Sequence, residues 1–395
     1  MSPSWNFRSR SLPFSPSARS CSLKASSRSA DRVRSLSKAA PRLPTVRRGG
    51  GGSCDRTARS SGSSVSLALQ HGHSTVNDVG SIARRKYHTM PGMGEIANEF
   101  SWSRSRDNTF QECRRKYFYH YYGAWGGWDA GAPEEVRRLY VLKQLASRQQ
   151  WAGRVVHDAI EMAFHAFADG HDIPVEPFVA DVIERMRGDW RSSKAGRYRD
   201  SPKTPALFEH EYAVELKPEV WRAISRNVAT CLRNFFRLPL LAAIRRTAPE
   251  HWSIEHWSKV FDFEGTAVWV APDFGFWSEE GRLALVDWKT GAGNGETAAF
   301  QLGCYALYAN EVLGVPPAKV DLYEANLREP RVTPLQWDDA RLEQIKEQVR
   351  LSVRSMKAYL ADPEANVAAL PDFEKTEDLR LCRWCNFRVV CRPEL

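Results

Sequence analysis

Residues 266–289 read TAVWVAPDFGFWSEEGRLALVDWK, two runs rich in apolar, β-branched and aromatic side chains separated by Glu279-Glu280-Gly281. Runs of that composition around a Gly-containing turn predict a β-hairpin. Thirteen residues separate Asp273, at the end of Trp269-Val270-Ala271-Pro272-Asp273, from Asp287 in Leu285-Val286-Asp287-Trp288-Lys289. A hairpin of that length brings two carboxylates to one place. Lys289, next but one to Asp287, falls on the same strand face and adds an ammonium. Hard divalent cations take oxygen ligands from one or two carboxylates, waters and a substrate phosphate, so this trio suits metal-assisted cleavage of a phosphodiester.

Working outward, residues 253–263, 266–277 and 283–288 predict three antiparallel strands, the first pair joined at Glu264-Gly265. Helices are predicted over 107–122, 150–168, 221–245, 296–313 and 338–360, a further strand over 320–326 and a polar loop over 190–206. His157 and Glu161 stand at i and i+4 of the second helix, Gln301 and Tyr305 at i and i+4 of the fourth, so each pair shares a face. A histidine among apolar helix positions is ordinarily a satisfied core residue; beside two carboxylates it is a further ligand through one ring nitrogen.

The net charge of +9 is unevenly spread. Residues 1–89 carry 16 Lys or Arg against Asp31, Asp55 and Asp78, leaving 40 basic and 44 acidic side chains for residues 90–395. That first segment is Ser-rich, has a Gly run at Gly49–Gly52 and few aromatics, a composition that predicts disorder. It reads as an upstream extension with Met90 or Met93 as the start, an organelle transit peptide, or a nucleic-acid-binding tail. Thirteen of the 14 tryptophans lie in the folded unit expected over 100–395. The longest apolar stretch, 238–244, falls far short of the roughly 18–20 residues of a membrane span. No secretory signal is evident, and the expected location is cytoplasmic, or an organelle if the tail is a transit peptide.

Three of the eight cysteines, Cys382, Cys385 and Cys391, crowd into the last fourteen residues. In a reducing compartment such clustering points to metal binding. A tetrahedral site needs one more thiolate, from Cys21, Cys54, Cys113, Cys231 or Cys304. Four thiolates suit zinc or an iron-sulfur cluster equally.

Pro272-Asp273 followed by Asp287-Trp288-Lys289, preceded by Gly153-x3-His157-x3-Glu161 and followed by Gln301-x3-Tyr305, resembles the RecB-like branch of the PD-(D/E)XK nuclease superfamily. The resemblance implies an α/β, restriction-endonuclease-like core of helix, three antiparallel strands, helix and strand, with added helices and a C-terminal Cys-rich segment. It implies His157, Asp273, Asp287 and the Trp288 carbonyl as Mg²⁺ or Mn²⁺ ligands, Lys289 as the catalytic lysine, and Gln301 and Tyr305 along the DNA path. Cys113 stands where the iron-sulfur relatives place their first cysteine, and the x2 and x5 spacing of Cys382, Cys385 and Cys391 is similar to that of AddB and CRISPR-associated nucleases. With Cys113 they would hold a 4Fe-4S cluster, zinc being the alternative. Arg114 stands where relatives often have Pro.

The expected activity is a metal-dependent deoxyribonuclease, an exonuclease on single-stranded DNA or DNA ends, in DNA repair, recombination or CRISPR-type processing. The alternatives are a catalytically idle, metal-stapled DNA-binding subunit and a site-specific endonuclease. Arg114, Arg115 and Lys116, interleaved with aromatics, are the expected phosphate contacts. No Gly-x4-Gly-Lys-Ser/Thr loop occurs, so unwinding would fall to a partner such as a helicase.

Overall fold

The computed structural model describes residues 97–253, 259–291 and 295–395, which lie in one unit spanning Gly72–Leu395. The segment read as a disordered tail lies outside the described residues. The chain enters through β1 (Ser101–Ser103) and α1 (Arg104–Glu112), which Ser103 caps by accepting from the Arg106 amide at 3.1 Å. One helix was expected over 107–122. Instead Cys113, extended at φ −164°, ends α1 and caps α2 (Arg114–Phe118), its sulfur accepting from the Lys116 amide. A π-turn over Tyr119–Gly123 follows.

Six helices come next: α3 (Glu134–Lys143), α4 (Arg148–Ala168), α5 (Val175–Lys194), α6 (Phe208–Glu211), α7 (Pro218–Arg237) and α8 (Pro239–Ile244). Ser147 and Gln150 form a reciprocal capping box at the start of α4. The polar loop expected over 190–206 is corrected in its first part, because α5 runs on to Lys194. Its buried positions, Val179, Val182 and Met186, sit three to four apart and anchor a helix polar elsewhere. The helix expected over 221–245 is split, since Pro239 cannot continue α7 and holds Leu238 extended.

The strands are β2 (Trp252–Ser253), β3 (Lys259–Phe263), β4 (Thr266–Val270), β5 (Phe274–Trp277), β6 (Leu283–Lys289), β7 (Val320–Asn326) and β8 (Arg331–Leu335). They form two sheets, ordered β1-β4-β3 and β2-β5-β6-β7-β8. The run expected as one strand over 266–277 therefore divides. Pro272 has no amide proton to pair, so β4 stops at Val270 and β5 begins after Asp273, in the other sheet. Asp273 opens a strand instead of ending one. The β3–β4 turn is tight, with Glu264 at φ +51° and Gly265 at +75°, the positive pair that a two-residue hairpin loop requires. β5 and β6 are antiparallel, whereas β6 and β7 are parallel and joined by α9 (Gly295–Glu311).

The larger sheet is buried on both faces. Phe274, Val286 and Trp288 pack on α4 and α7 through Phe164 and Phe235, with the Phe164 and Phe274 rings stacked at 4.0 Å. Leu285 and Leu322 face the other way, toward Leu302 of α9 and Ile345 of α10 (Asp339–Lys357). Gly303 lets those two helices meet: a Cβ there would lie 2.7 Å from Ile345 Cδ1 and 2.9 Å from Trp337 Cη2. Gly303→Ala is expected to cost about 1–3 kcal/mol through overpacking. A thermal melt checks this, and an unchanged midpoint would show that the close approach is dispensable. The chain ends in α11 (Leu379–Arg383) and α12 (Arg388–Cys391).

Candidate active site and cysteine cluster

Strand alternation assembles the first site. Phe274 pairs with Val286, and both turn toward α4; one step along β6, Asp287 turns to the opposite face with Lys289, while Asp273, just before β5, is held at the strand end between His157 and the Trp288 amide. Asp287 is 1 % exposed. His157, from α4, places Nδ1 3.0 Å from Asp273 Oδ1, while the Trp288 amide donates to Asp273 Oδ2 at 2.8 Å. Gly153, one turn before His157, faces the end of β6, where a Cβ would lie 3.4 Å from Thr290 Oγ1. Glu161 turns to His165, 3.8 Å away.

Lys289 Nζ lies 2.6 Å from Asp287 Oδ2 and donates to Gln301 Oε1 at 3.0 Å; Gln301 Nε2 in turn donates to the Tyr305 hydroxyl at 2.6 Å. Tyr305 was expected along a DNA path, but it is only 3 % exposed and stands behind Gln301. Burial, then the charges of Asp287 and Asp273, raise its phenol well above the usual range and keep it neutral.

The carboxylates are pushed apart. Burial and then the charge of Asp273 raise Asp287 to about 6, against the opposing pull of Lys289 and His157. Burial would raise Asp273 too, but His157, the Trp288 amide and Lys289 together hold it below the usual carboxylate range. Among the described residues no three His, Cys, Asp or Glu side chains stand ready to hold a metal ion. The donor types nevertheless fit a hard cation. Asp287 Oδ2 is buried, with the Lys289 ammonium 2.6 Å away. Two carboxylates, a backbone carbonyl and waters are the oxygen donors that Mg²⁺ takes.

Two neighbours were missed in the sequence. Glu324 pairs in register with Asp287 and shares its buried face; a charge among the inward positions Val320 and Leu322 was the available signal. Asn326 pairs with Lys289 and donates to Gly291 O at 2.9 Å, tying down the chain that leaves β6.

A second cluster lies at the other end of the chain. Cys113, Cys382, Cys385 and Cys391 line one small cavity with Lys116 and Lys375, and all four are free thiols. Burial raises Cys385 to about 11. Cys231 and Cys304 are buried in the two cores instead.

The expected phosphate contacts are engaged within the protein. Arg114 covers the Phe110 ring and donates to the Phe110 carbonyl. Arg115 clamps the C-terminal segment, its amide donating to Glu374 O at 3.0 Å and its Nε to Phe373 O at 2.6 Å. Lys116 pairs with Glu112 at 2.9 Å. Tyr117 and Tyr119 are core residues, packed under the same segment.

A family model of the PD-(D/E)XK nuclease superfamily matches residues 101–392, from β1 to just past the last cysteine. No curated protein matches the chain. No helix among the described residues is long and apolar enough to cross a membrane.

Proposed function

The chain belongs to the PD-(D/E)XK nuclease superfamily, and from that premise we propose that it is a Mg²⁺- or Mn²⁺-dependent deoxyribonuclease of the RecB-like branch, acting as an exonuclease on single-stranded DNA or DNA ends. The observation that carries this reading is the convergence of Asp273, Asp287 and Lys289, with the Lys289 ammonium 2.6 Å from the buried Asp287 carboxylate and Asp273 accepting from the Trp288 amide at 2.8 Å. The cation would be held by Asp273, Asp287 and the Trp288 carbonyl, with His157 alongside. When bound there, a divalent cation acidifies its water and offsets phosphate charge.

The chain's own groups do the rest. Lys289 orients the attacking water and balances the charge that builds on the phosphate. Gln301 fixes the ammonium, and the Tyr305 hydroxyl keeps the Gln301 amide turned so that its oxygen faces Lys289. Lys289→Ala is expected to lower kcat by about 10²–10³-fold, and Gln301→Ala by roughly tenfold because it acts only through the lysine. Single-turnover cleavage measures both, and equal losses would mean that Gln301 has a direct role.

Cys113, Cys382, Cys385 and Cys391 would hold a 4Fe-4S cluster, supported by four free thiols around one cavity; zinc suits the same donors and is told apart by being colourless. The location of the cluster between α2 and the chain end fits a structural clasp. With no phosphate-binding loop in the sequence, strand separation would fall to a partner such as a helicase, in repair, recombination or CRISPR-type processing. Linear and closed circular single strands of one sequence test the exonuclease reading: the linear strand should be degraded and the circle survive, whereas cutting of the circle would make the enzyme an endonuclease.

A further inference from the structure

Between α5 and α7 lies a cavity of about 650 Å³ that neither the carboxylates nor the cysteines use. That volume falls within the range of ligand pockets. Arg187 and Arg191 line it from α5, Arg222 and Arg226 from α7. Each pair is spaced i and i+4, so its two guanidiniums project from one helix face. Among the described residues no Asp or Glu lines the cavity. Between the arginines, Trp190 and Trp221 meet edge to face at 6.0 Å, and His210 packs against both at 5.2 and 5.5 Å.

This is not the composition of a core. All four arginines are exposed, and both indoles are only partly buried. Trp190 Nε1 is shut away from solvent with no hydrogen-bond partner. Asp189, half-buried beside Trp151, is held above the usual carboxylate range by burial, and two further acids pair with the arginines: Glu184 takes Arg187 at 2.8 Å and Arg191 at 3.2 Å, and Glu219 takes Arg222 at 3.0 Å. Exposed pairs of this kind contribute little and exchange readily for a phosphate. Guanidiniums match phosphate oxygens in a fork, and indole faces stack on bases. Bases offer those faces only when unpaired, which selects single strands over duplex. Charge alone would suit an acidic peptide equally, but the indoles would then have no stacking partner.

We propose that this groove is an accessory binding site for single-stranded DNA, gripping the strand beside the site that cuts it; the proposal rests on the nuclease reading above. Trp151, which lines the groove, precedes His157 by six residues on α4, about 9 Å along the helix axis and roughly a third of a turn around it. A strand of several nucleotides curving round α4 spans that interval. The groove would thus favour long substrates over short ones and keep a partly digested strand attached between cuts.

The test uses the full chain. Binding of an oligothymidylate of about 20 nucleotides is measured in EDTA, where no cleavage interferes, for wild type, Arg191→Glu/Arg226→Glu and Trp221→Phe. The double variant changes two exposed side chains, and circular dichroism verifies its fold. It is expected to bind about tenfold or more weakly, with the salt slope reduced by about 1.4, from two lost phosphate contacts on a single strand. Trp221→Phe, which keeps an aromatic face, should lose less. With Mg²⁺, the preference in kcat/KM for the long strand over a trinucleotide should shrink by the same factor. Unchanged affinity and salt slope in the double variant would overturn the proposal. So would a polyglutamate peptide binding through the same arginines as tightly as the oligonucleotide. Groove-dependent binding by a wild type that cuts nothing would uphold the groove and sink the nuclease reading instead.

Discussion

Asp287→Asn is expected to abolish Mg²⁺-dependent cleavage, by at least about 10³-fold, while the metal-free protein becomes more stable at neutral pH. The loss follows from removing a charge that a bound cation needs, a contribution of several kcal/mol to the transition state. The gain follows from linkage. In the fold, burial and the neighbouring Asp273 hold the Asp287 carboxyl near 6, against about 3.9 for an unfolded aspartate. A raised carboxyl contributes stability that is present below the unfolded value and lost as pH climbs through the folded one. Ionised Asp287 therefore strains the metal-free protein above about pH 6, on the order of 2 kcal/mol with the opposing pull of Lys289 at 2.6 Å already included. Melting curves of both proteins in EDTA at pH 5 and pH 7.5 check this: the difference should be full at the higher pH and about half as large at the lower, which lies midway between the unfolded and folded values. A variant that melts lower at both would mean that the Lys289 contact outweighs the burial cost. The same titration governs activity, which should fall as pH drops below about 6 and should need more Mg²⁺ there, because protons and cation compete for one carboxylate.

Cys385→Ala is the second large effect. Joining Cys113 to Cys382 closes a loop of about 270 residues, nearly the whole folded unit. A clip across so long a loop contributes several kcal/mol by restricting the unfolded chain. On the proposed 4Fe-4S reading, removing Cys385 is expected to bleach the visible absorption of the purified protein and lower its Tm by roughly 10 °C or more. The variant should still fold, because the C-terminal segment has other anchors. Arg115 holds the Phe373 carbonyl, Asn386 Nδ2 donates to Leu145 O at 2.8 Å, and Phe387 is fully buried against Tyr119. A wild type that carries no metal, or a Cys385→Ala protein with unchanged melting and activity, would remove the clasp from the account.

The parts of this fold that were legible in the sequence are those with short-range causes. The β5–β6 hairpin was announced by its turn residues and α4 by its apolar periodicity, and β7 occupies the stretch expected for it. Period-two and period-3.6 geometry fix which side chains share a strand or helix face, and the resemblance joined the helix carrying His157 to the acidic hairpin, where His157 lies 3.0 Å from Asp273. What escaped depends on tertiary pairing. Nothing in residues 266–277 says that the two sides of Pro272 join different sheets, and α5 shows too few apolar positions to stand out. The charge of Glu324 among inward positions was visible in the sequence, but its partner Asp287 emerged only with β7 parallel to β6. The tyrosine of the Gln301 pair and the basic run at Arg114 were expected to meet DNA, yet Tyr305 is buried behind Gln301 and Arg115 clamps the chain end. A motif names residue types; which of them faces solvent is decided by packing across the whole domain.

The most direct test of the central claim is digestion of a labelled single-stranded oligonucleotide by the purified wild type with Mg²⁺ or Mn²⁺, with EDTA and Asp273→Ala as controls. The account predicts progressively shortened products that EDTA stops and the variant does not form. Full-length strand remaining with the wild type under either metal, or the same products from Asp273→Ala, would contradict it.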